Sequence, residues 1–331
     1  MKSLVFEAPN RSVLVDAPIP DIGDDELLIE LAAVGICHSD YELLAGRYII
    51  PISYPVTPGH EWSGRVASVG RSVHSFSVGD RVVGECVVRR PDRLHHFGFS
   101  LDGAYRQFFV VRPEWLHRLP DSIDDLTASF IEPFTCGYYA VQKAGGTDAS
   151  QTVLISGGGT IGLMSAAAAI GSGARVIVVD PIAHRRDAAL RLGAEIALDP
   201  SEPGLVDRVI QETDGHGADL VVEASGHDRS LGVVFDLVRE EGRVAMVGIN
   251  IGRPVESHLG NIQMRNLTVV GCIGSPGVWP AAIRFLERTH IDLSPIRTHT
   301  LPLGDGLSAL DLGHRPEACI KVTMVNTPAA S

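Results

Sequence analysis

The chain has 331 residues, enough for two domains that each bury a core, and its 45% hydrophobic and 21% charged residues are those of an ordinary globular protein. Its formal net charge of −12 argues against nucleic acid or anionic membranes as partners, because both repel an acidic surface. The five cysteines are scattered, odd in number and without a CxxC pair, so a reduced, cytoplasmic setting is favoured over a disulfide framework.

The first 142 residues alternate short apolar runs with Gly, Pro and Asp, which predicts a mostly β domain. Strands are predicted at 27–34, 62–69, 81–84 and 106–111, and Gly79-Asp80 predicts a hairpin-type turn before the third of them. The N-terminus reaches Pro9 and Asp16 too soon to leave room for a signal peptide.

Residues 143–296 alternate strands with helices, which predicts an α/β domain with a doubly wound parallel sheet. The six predicted strands lie at 152–156, 175–180, 195–199, 218–223, 243–249 and 267–273, and two of the predicted helices at 183–193 and 229–240. The longest apolar segment, near 161–171, is too short to span a bilayer. Residues 297–331 return to β-like sequence and are expected to fold back onto residues 1–142, so that the first domain is discontinuous. Only the final Pro-Ala-Ala-Ser tail is expected to be disordered.

The stretch 151–180 combines a strand, a glycine turn, a helix and a second strand, as in dinucleotide-binding units. Gly157 allows a tight turn, Gly159 lets the backbone approach a pyrophosphate, and Gly162 lets helix and strand pack closely. The helix that follows this turn offers its N-terminal amides to the phosphates, and Thr160 of the turn is a further candidate cofactor-binding residue.

Asp180 ends the second strand of this unit. It would accept hydrogen bonds from the adenosine ribose and repel a 2′-phosphate, so NAD is favoured over NADP. A lone glycine turn also occurs in ordinary α/β units. The two strands, the helix and the acid together favour a cofactor site.

Four residues ahead of this unit suggest a zinc site: Cys37, His60, Glu61 and Glu132. One thiolate, one imidazole and carboxylates, with a position left for water or substrate, suit a catalytic rather than a structural zinc. Each piece is weak alone, because a single Cys is usually a small buried hydrophobe and a single His-Glu pair is usually a loop feature.

These motifs occur in a familiar order. Gly-Ile-Cys-His-Ser-Asp, Pro-Gly-His-Glu-Trp-Ser-Gly, Val-Gly-Asp-Arg-Val, Glu-Pro-Phe and the glycine turn together resemble the zinc-dependent medium-chain dehydrogenases over essentially the whole chain. The resemblance implies a GroES-like catalytic domain, a Rossmann domain and an active site in the cleft between them. Glu132-Pro133 stands where simple alcohol dehydrogenases carry a third cysteine ligand, so the chain is most similar to the polyol, threonine and sugar-acid branch.

The resemblance also implies roles for single residues. Cys37, His60 and Glu61 match zinc ligands, while Glu132 is either a ligand or holds the zinc-bound water, and the resemblance implies that Glu61 and Glu132 exchange during turnover. Asp40 matches the acid that orients His60, and Ser39 the hydroxyl that takes the proton from the alcohol. Arg185 matches an arginine near the adenosine, and Ile161 a branched side chain that presses the nicotinamide toward substrate. Zinc would stabilise the substrate alkoxide, whose carbon gives hydride to the nicotinamide.

The chain departs from the family pattern in two parts of the proposed site. The region 86–103 holds one cysteine instead of the four of a structural zinc lobe, so no second zinc is predicted. Where many relatives carry a histidine at the end of the proton relay, this chain has Glu42, and the relay would end at Glu42, a ribose hydroxyl or water. His38 is expected to be a structural histidine that points elsewhere.

The substrate region is also distinctive. The positions that match the Arg-Tyr pair of sorbitol-type enzymes are the small Gly274 and Ser275, which puts sorbitol in doubt and leaves room for a bulkier ring. Several loop phrases resemble dehydrogenases of aminocyclitols in aminoglycoside pathways. His95-His96 is expected to be an exposed loop, and the apolar run at 266–273 matches the sheet edge through which relatives form dimers or tetramers.

The favoured function is therefore an NAD- and zinc-dependent oxidation of a secondary alcohol of a polyol, cyclitol, aminocyclitol or sugar-like substrate. Two alternatives stay open. One is a zinc-free quinone- or enoyl-reductase-like enzyme of the same fold, which Cys37, His60, Glu61 and Asp180 argue against. The other is a non-catalytic nucleotide-binding relative.

Overall fold

The computed structural model describes residues 1–47, 50, 52–89, 94–250 and 252–326. The chain forms two units, Met1–Glu132 with the segment from Arg297 onward, and Pro133–Ile296. The division falls in the first turn of a helix, whereas the sequence placed the domain boundary after residue 142. The predicted disordered tail, 328–331, lies outside the described residues.

In chain order, the strands and α-helices are β1 (Lys2–Ala8), β2 (Arg11–Asp16), β3 (Leu27–Gly35), α1 (His38–Leu44), β4 (Glu61–Val69), β5 (Arg81–Gly84), β6 (Val87–Arg89), β7 (Leu94–His96), β8 (Phe108–Val111), β9 (Leu116–Arg118), α2 (Asp125–Ala128), α3 (Ile131–Lys143), β10 (Thr152–Ser156), α4 (Thr160–Gly171), β11 (Arg175–Val179), α5 (Ala183–Leu192), β12 (Ile196–Leu198), α6 (Leu205–Glu212), β13 (Ala218–Glu223), α7 (Asp228–Val233), β14 (Val238–Met246), α8 (Gly260–Met264), β15 (Thr268–Gly271), α9 (Trp279–Thr289), β16 (Arg297–Pro302), α10 (Gly306–Gly313) and β17 (Lys321–Val325).

The first unit is built on a seven-stranded sheet in the order β16-β17-β3-β4-β5-β9, with β8 also paired to β3. In β3, Leu27, Ile29 and Leu31 alternate with less buried residues, as expected of a strand with one face on the core. The strand pairs antiparallel with β4 on one side and with β17 on the other. Adjacent ends of β17, β3 and β4 therefore meet at one edge of the sheet.

The second unit contains six parallel strands in the order β12-β11-β10-β13-β14-β15, which confirms the predicted doubly wound sheet. Its inner strands β10, β11 and β13 are almost wholly buried runs of Val, Ile and Leu, because helices cover both faces of such a sheet. The chain leaves β10 toward β11 on one side and later reaches β13 on the other. The turn after β10 thus lies at the switch point, where ligands of open α/β sheets bind.

Two predictions about local structure were wrong. The helix expected at 229–240 ends at Val233, and β14 already begins at Val238, because the buried Leu237 and Val238 join the core of the sheet. Glu241 has a positive φ of 56° where the β13–β14 register shifts, which a regular helix would not contain. His95 is only 7% exposed and lies on β7, so it is not part of an exposed loop.

Candidate active site

A largely buried cluster of metal-ligating side chains lies at the edge of the first sheet. Cys37 follows β3, and His60 and Glu61 stand at the start of β4. Because Gly35 pairs with Glu61, the antiparallel register brings these segments side by side. One ligand atom from each of Cys37, His60 and Glu61 lies within 4.8 Å of the others. His60 and Glu61 are 4% and 1% exposed and Cys37 is half-buried, so most of the cluster lies in the interior of the unit.

Asp40 lies behind the His60 ring. Its Oδ2 accepts hydrogen bonds from the Cys37 amide at 2.8 Å and the Tyr105 hydroxyl at 2.6 Å. Its Oδ1 lies 3.6 Å from Nδ1 of His60, while Nε2 on the other side of the ring lies 3.5 Å from Oγ of Ser39. An imidazole whose Nδ1 faces a carboxylate presents Nε2 to a metal, an orientation that metal-binding histidines commonly adopt.

The charges around His60 suit a cation. Burial alone would lower the pKa of His60, but the neighbouring Cys86, Asp40 and Cys37 raise it well above its ordinary value. Asp40 Oδ1 and His60 Nδ1 are buried and make no hydrogen bond. Buried charge without full compensation costs free energy, which a dication on the adjacent thiolate, imidazole and carboxylate would offset. The donor set therefore fits zinc.

Glu132, the fourth predicted ligand, lies outside this trio in the first turn of α3. Burial raises the pKa of Glu132 above its ordinary value, with Glu61 adding to the effect and His60 opposing it. The carboxyl group is thus close enough to interact electrostatically with the trio. The chain that leads to α3 is fixed upstream, where Arg81 Nε donates to Asp125 Oδ1 at 2.8 Å.

The sequence analysis missed two residues near the trio, the buried Lys321 and the half-buried Cys86. Lys321 is 2% exposed; its Nζ forms an ion pair with Glu61 Oε2 and donates to the Ile36 carbonyl at 2.8 Å. Burial alone would lower the pKa of Lys321, but Glu61 and Cys37 raise it. Burial raises the pKa of the Cys86 thiol to about 12. One signal was available: Lys321 is one of only three lysines and interrupts an apolar run.

The two predicted relay residues lie on α1. Ser39 is 9% exposed and its hydroxyl is in contact with His60, as described above. Glu42 instead accepts from Nε of Arg47 at 2.8 Å, and this hydrogen bond lowers the pKa of Glu42. His38 has a side chain that is 83% exposed and lies 3.8 Å from Glu42.

The predicted glycine turn is present in the second unit. Gly157 has φ of +105°, and a Cβ there would come within 2.9 Å of Ser225. A Cβ on Gly162 would overlap the Gly157 carbonyl oxygen, so the start of α4 and the end of β10 can pack only around a glycine. A Cβ on Gly159 would meet nothing within 4 Å, which leaves room for a ligand at the start of α4, where Thr160 and Ile161 follow.

Asp180 adjoins this turn and is 3% exposed. Its Oδ2 accepts from the Gly158 amide at 2.7 Å and its Oδ1 from the Ile182 amide at 2.8 Å. Nη1 of Arg185 lies 3.6 Å from Oδ2. The carboxylate therefore ties the end of β11 to the glycine turn, a contact that the sequence pattern did not predict. Each carboxylate oxygen retains capacity for a further donor.

Glu223 is a second buried acid at this edge of the sheet, and the sequence analysis missed it. At the end of β13 its Oε1 accepts from the hydroxyls of Ser225 at 2.6 Å and Ser230 at 2.8 Å and from the Gly226 amide at 3.1 Å. These bonds fix the loop that packs against Gly157. The sequence did contain a signal for this site, because Glu223 is an acidic residue at the end of an apolar run that was predicted to be a strand.

The small residues of the predicted substrate region also lie in the second unit. Ser275 Oγ accepts from Oγ1 of Thr135 at 2.7 Å and from Nε1 of Trp279 at 3.2 Å. A Cβ on Gly274 would meet nothing within 4 Å, so the space beside it is open.

None of the helices that the structure describes has the length and apolar character needed to span a bilayer.

Comparison with known proteins shows which family the chain belongs to. Residues 23–121 match the alcohol dehydrogenase GroES-like domain, and residues 160–288 match the zinc-binding dehydrogenase family. The chain is 31% identical to D-arabitol-phosphate dehydrogenase of Enterococcus avium over 94% of each chain. It is 30% identical to sorbitol dehydrogenase of Halalkalibacterium halodurans over 92% of this chain and 94% of the relative.

The fold also has a close counterpart among solved structures. A Sinorhizobium meliloti protein described as a zinc-binding dehydrogenase and bound to NADP superposes with a TM-score of 0.90 at 28% identity over 98% of both chains. The likeness thus extends over both units, the GroES-like one and the Rossmann one. The chain belongs to the zinc-dependent medium-chain dehydrogenases and is an alcohol dehydrogenase-like oxidoreductase that uses zinc and a nicotinamide cofactor.

Proposed function

We propose that this protein oxidises, or forms in reverse, a secondary alcohol of a polyol, cyclitol, aminocyclitol or sugar-like substrate, with NAD as cofactor. The observation that carries the proposal is the trio of the half-buried Cys37 and the buried His60 and Glu61, whose ligand atoms lie within 4.8 Å of one another in a chain that also has the glycine turn. Three protein ligands with one open position are the arrangement of catalytic zinc.

Cys37, His60 and Glu61 are the proposed ligands of a single zinc, and Glu132 is the carboxylate that exchanges with Glu61 or holds the water. Zinc bound there would act as a Lewis acid that lowers the pKa of the substrate hydroxyl. Asp40 keeps the His60 ring oriented through its 3.6 Å approach to Nδ1. The region 86–103 contains one cysteine, which supports the absence of a second, structural zinc.

Ser39 is the proposed first acceptor of the substrate proton. Its hydroxyl lies 3.5 Å from the ring nitrogen of His60 that faces away from Asp40, so it borders the position of the reacting oxygen. Glu42 remains a candidate for the end of the relay. Its bond to Arg47 keeps it ionised and able to accept a proton only weakly, which favours water or a ribose hydroxyl as the other routes.

NAD is the proposed cofactor because of Asp180. The carboxylate stands beside the glycine turn, where it would accept from the ribose and repel a 2′-phosphate. Arg185 lies 3.6 Å from it and offers a positive charge for the adenosine end. The Sinorhizobium meliloti relative is bound to NADP, so the choice of cofactor needs a direct test.

A polyol-like substrate is supported by the two curated relatives, which act on D-arabitol phosphate and sorbitol by name. The small Gly274 and Ser275 support a substrate bulkier than an open chain, such as an aminocyclitol ring. We also propose a homodimer or homotetramer that pairs through the β15 edge, where Val269 is 36% and Ile273 68% exposed. The five free cysteines support a cytoplasmic location.

The test is NADH formation with purified protein and a panel of sorbitol, arabitol phosphate, threonine, inositols and aminocyclitols, before and after metal removal. We expect turnover of a polyol or ring substrate that stops on chelation and returns with zinc. Activity that survives complete metal removal would favour a zinc-free reductase. Nucleotide binding without turnover of any alcohol would favour a non-catalytic relative.

A further inference from the structure

Lys321 and Glu61 form an ion pair across the middle strand of a three-strand segment. Lys321 begins β17, and Glu61 begins β4 on the far side of β3. The two residues are 2% and 1% exposed. The ammonium also donates to the Ile36 carbonyl at 2.8 Å, one residue before Cys37. A lysine from near the end of the chain is thus bonded both to a proposed ligand and to the segment that carries another.

The pair is possible because the residue between its partners has no side chain. Gly35 on β3 is opposite Glu61 in one direction and Thr323 in the other. A Cβ on Gly35 would overlap Glu61 Oε2 and come within 3.0 Å of Lys321 Cε. The lysine stem therefore crosses the sheet directly above a glycine. The strand register, the absence of a side chain at Gly35 and the buried Lys321 together fix the position of Glu61 Oε2.

We propose that Lys321 is a positioning residue that keeps Glu61 a weak, exchangeable zinc ligand. This inference rests on the zinc site proposed above. The Glu61 carboxylate is shared between the ammonium, which contacts its Oε2, and whatever cation the trio holds. The lysine thereby reduces the negative charge that Glu61 offers to zinc, and it holds the carboxylate where Glu132 can replace it.

The sign of the effect follows from a thermodynamic cycle. In the metal-free protein, loss of the ammonium leaves Glu61 buried with an uncompensated charge, which is strongly unfavourable. In the zinc-bound protein the dication supplies the missing compensation and no longer repels a nearby ammonium. Removing the charge of Lys321 therefore destabilises the metal-free form more than the zinc-bound form. Zinc must then bind more tightly, whereas a lysine with a purely structural role would make zinc binding weaker when lost.

The experiment measures the zinc dissociation constant by competition with a chromophoric chelator, using the full-length protein after metal removal. Lys321→Gln keeps a donor for the Ile36 carbonyl but has no charge. We expect it to bind zinc on the order of tenfold more tightly than wild type, with a lower kcat at full zinc occupancy because the carboxylate exchanges more slowly. Lys321→Arg keeps the charge and should restore both values.

Two controls isolate the pair. Lys2→Met removes an exposed lysine whose Nζ lies 2.9 Å from Asp16 in the same unit, and it should leave zinc affinity unchanged. In a Glu61→Gln background, Lys321→Gln should tighten zinc binding less than it does in the wild-type background, because only the repulsion between the ammonium and zinc is then removed.

Unchanged or weaker zinc binding in Lys321→Gln would overturn the inference, as would tighter binding in Lys321→Arg. If Lys321→Gln does not fold, the comparison of Lys321→Arg with wild type can still overturn the inference. A different result would refute the proposed zinc site itself: wild type that binds no zinc, or Cys37→Ser that binds it as tightly as wild type.

Discussion

The hydroxyl of Tyr105 donates to Oδ2 of Asp40 at 2.6 Å, in the interior of the first unit. Asp40 in turn lies 3.6 Å from Nδ1 of His60, so the tyrosine is two contacts away from a proposed metal ligand. Partners of this kind fix the orientation of the ligand and are commonly worth a factor of about 10 to 100 in metal affinity.

Tyr105→Phe is therefore expected to weaken zinc binding by about tenfold, because Asp40 would lose its hydroxyl donor and hold His60 less firmly. It should also lower the free energy of unfolding by about 1–3 kcal/mol, the cost of a buried carboxylate that lacks one donor. Chelator competition and urea unfolding measure the two effects. Tyr54→Phe, which removes a hydroxyl that donates to the Leu43 carbonyl, is the matched control and should leave zinc affinity unchanged.

Metal content tests the proposal of a single zinc. Elemental analysis of the purified protein should give about one zinc per chain, since one mononuclear site is proposed. Cys37→Ser should reduce this to a small fraction and abolish alcohol oxidation. Cys272→Ser, at a half-buried thiol of the other unit, should keep the full metal content. Two zinc ions per chain would contradict the prediction that the 86–103 region binds none.

Asp180 should decide between NAD and NADP. Asp180→Asn removes the charge that repels a 2′-phosphate, so the ratio of kcat/KM for NADP to that for NAD should rise by at least about tenfold. The KM for NAD should rise as well, because the bond of the carboxylate to the Gly158 amide is weakened. Asp187→Asn on the exposed face of α5 serves as the control. A wild type that already prefers NADP would contradict the assignment at the outset.

Ser39→Ala is expected to lower kcat by about 10²- to 10⁴-fold, the usual contribution of a positioned proton acceptor. Zinc content and the KM for NAD should stay close to wild type, since Ser39 is not among the ligands. Ser39→Thr keeps a hydroxyl and should retain most of the activity. If Ser39→Ala turned over at the wild-type rate, the proton would have to leave by another route.

Local sequence patterns predicted part of the fold closely. The strands at 81–84, 152–156 and 218–223 have the predicted bounds, because compact apolar runs bounded by polar or glycine residues leave few alternatives. The predicted helix at 229–240 failed for the opposite reason. Its apolar residues are compatible with the helical period and with the strand period. In the structure Leu237 and Val238 are buried in the core of the second unit, and Val238 begins the next strand.

Residue chemistry predicted the trio Cys37, His60 and Glu61, which the structure brings together. It did not predict the contacts of Tyr105 and Lys321, since neither residue lies near the trio in sequence. Their contacts depend on which strands pair and in which register, and that information is spread over the whole first unit. The bond between Asp180 and the Gly158 amide was missed for the same reason, although both residues lie within one recognised motif.

The ammonium of Lys321 reaches a carbonyl that is 285 positions earlier in the chain. During synthesis the ribosome must therefore complete the continuous second unit, and nearly all the rest of the protein, before the first unit can add its last central strand. Closing so long a connection is slow. Until then Glu61 has no ammonium partner, and a nascent chain would offer zinc a more negative pocket than the finished enzyme does.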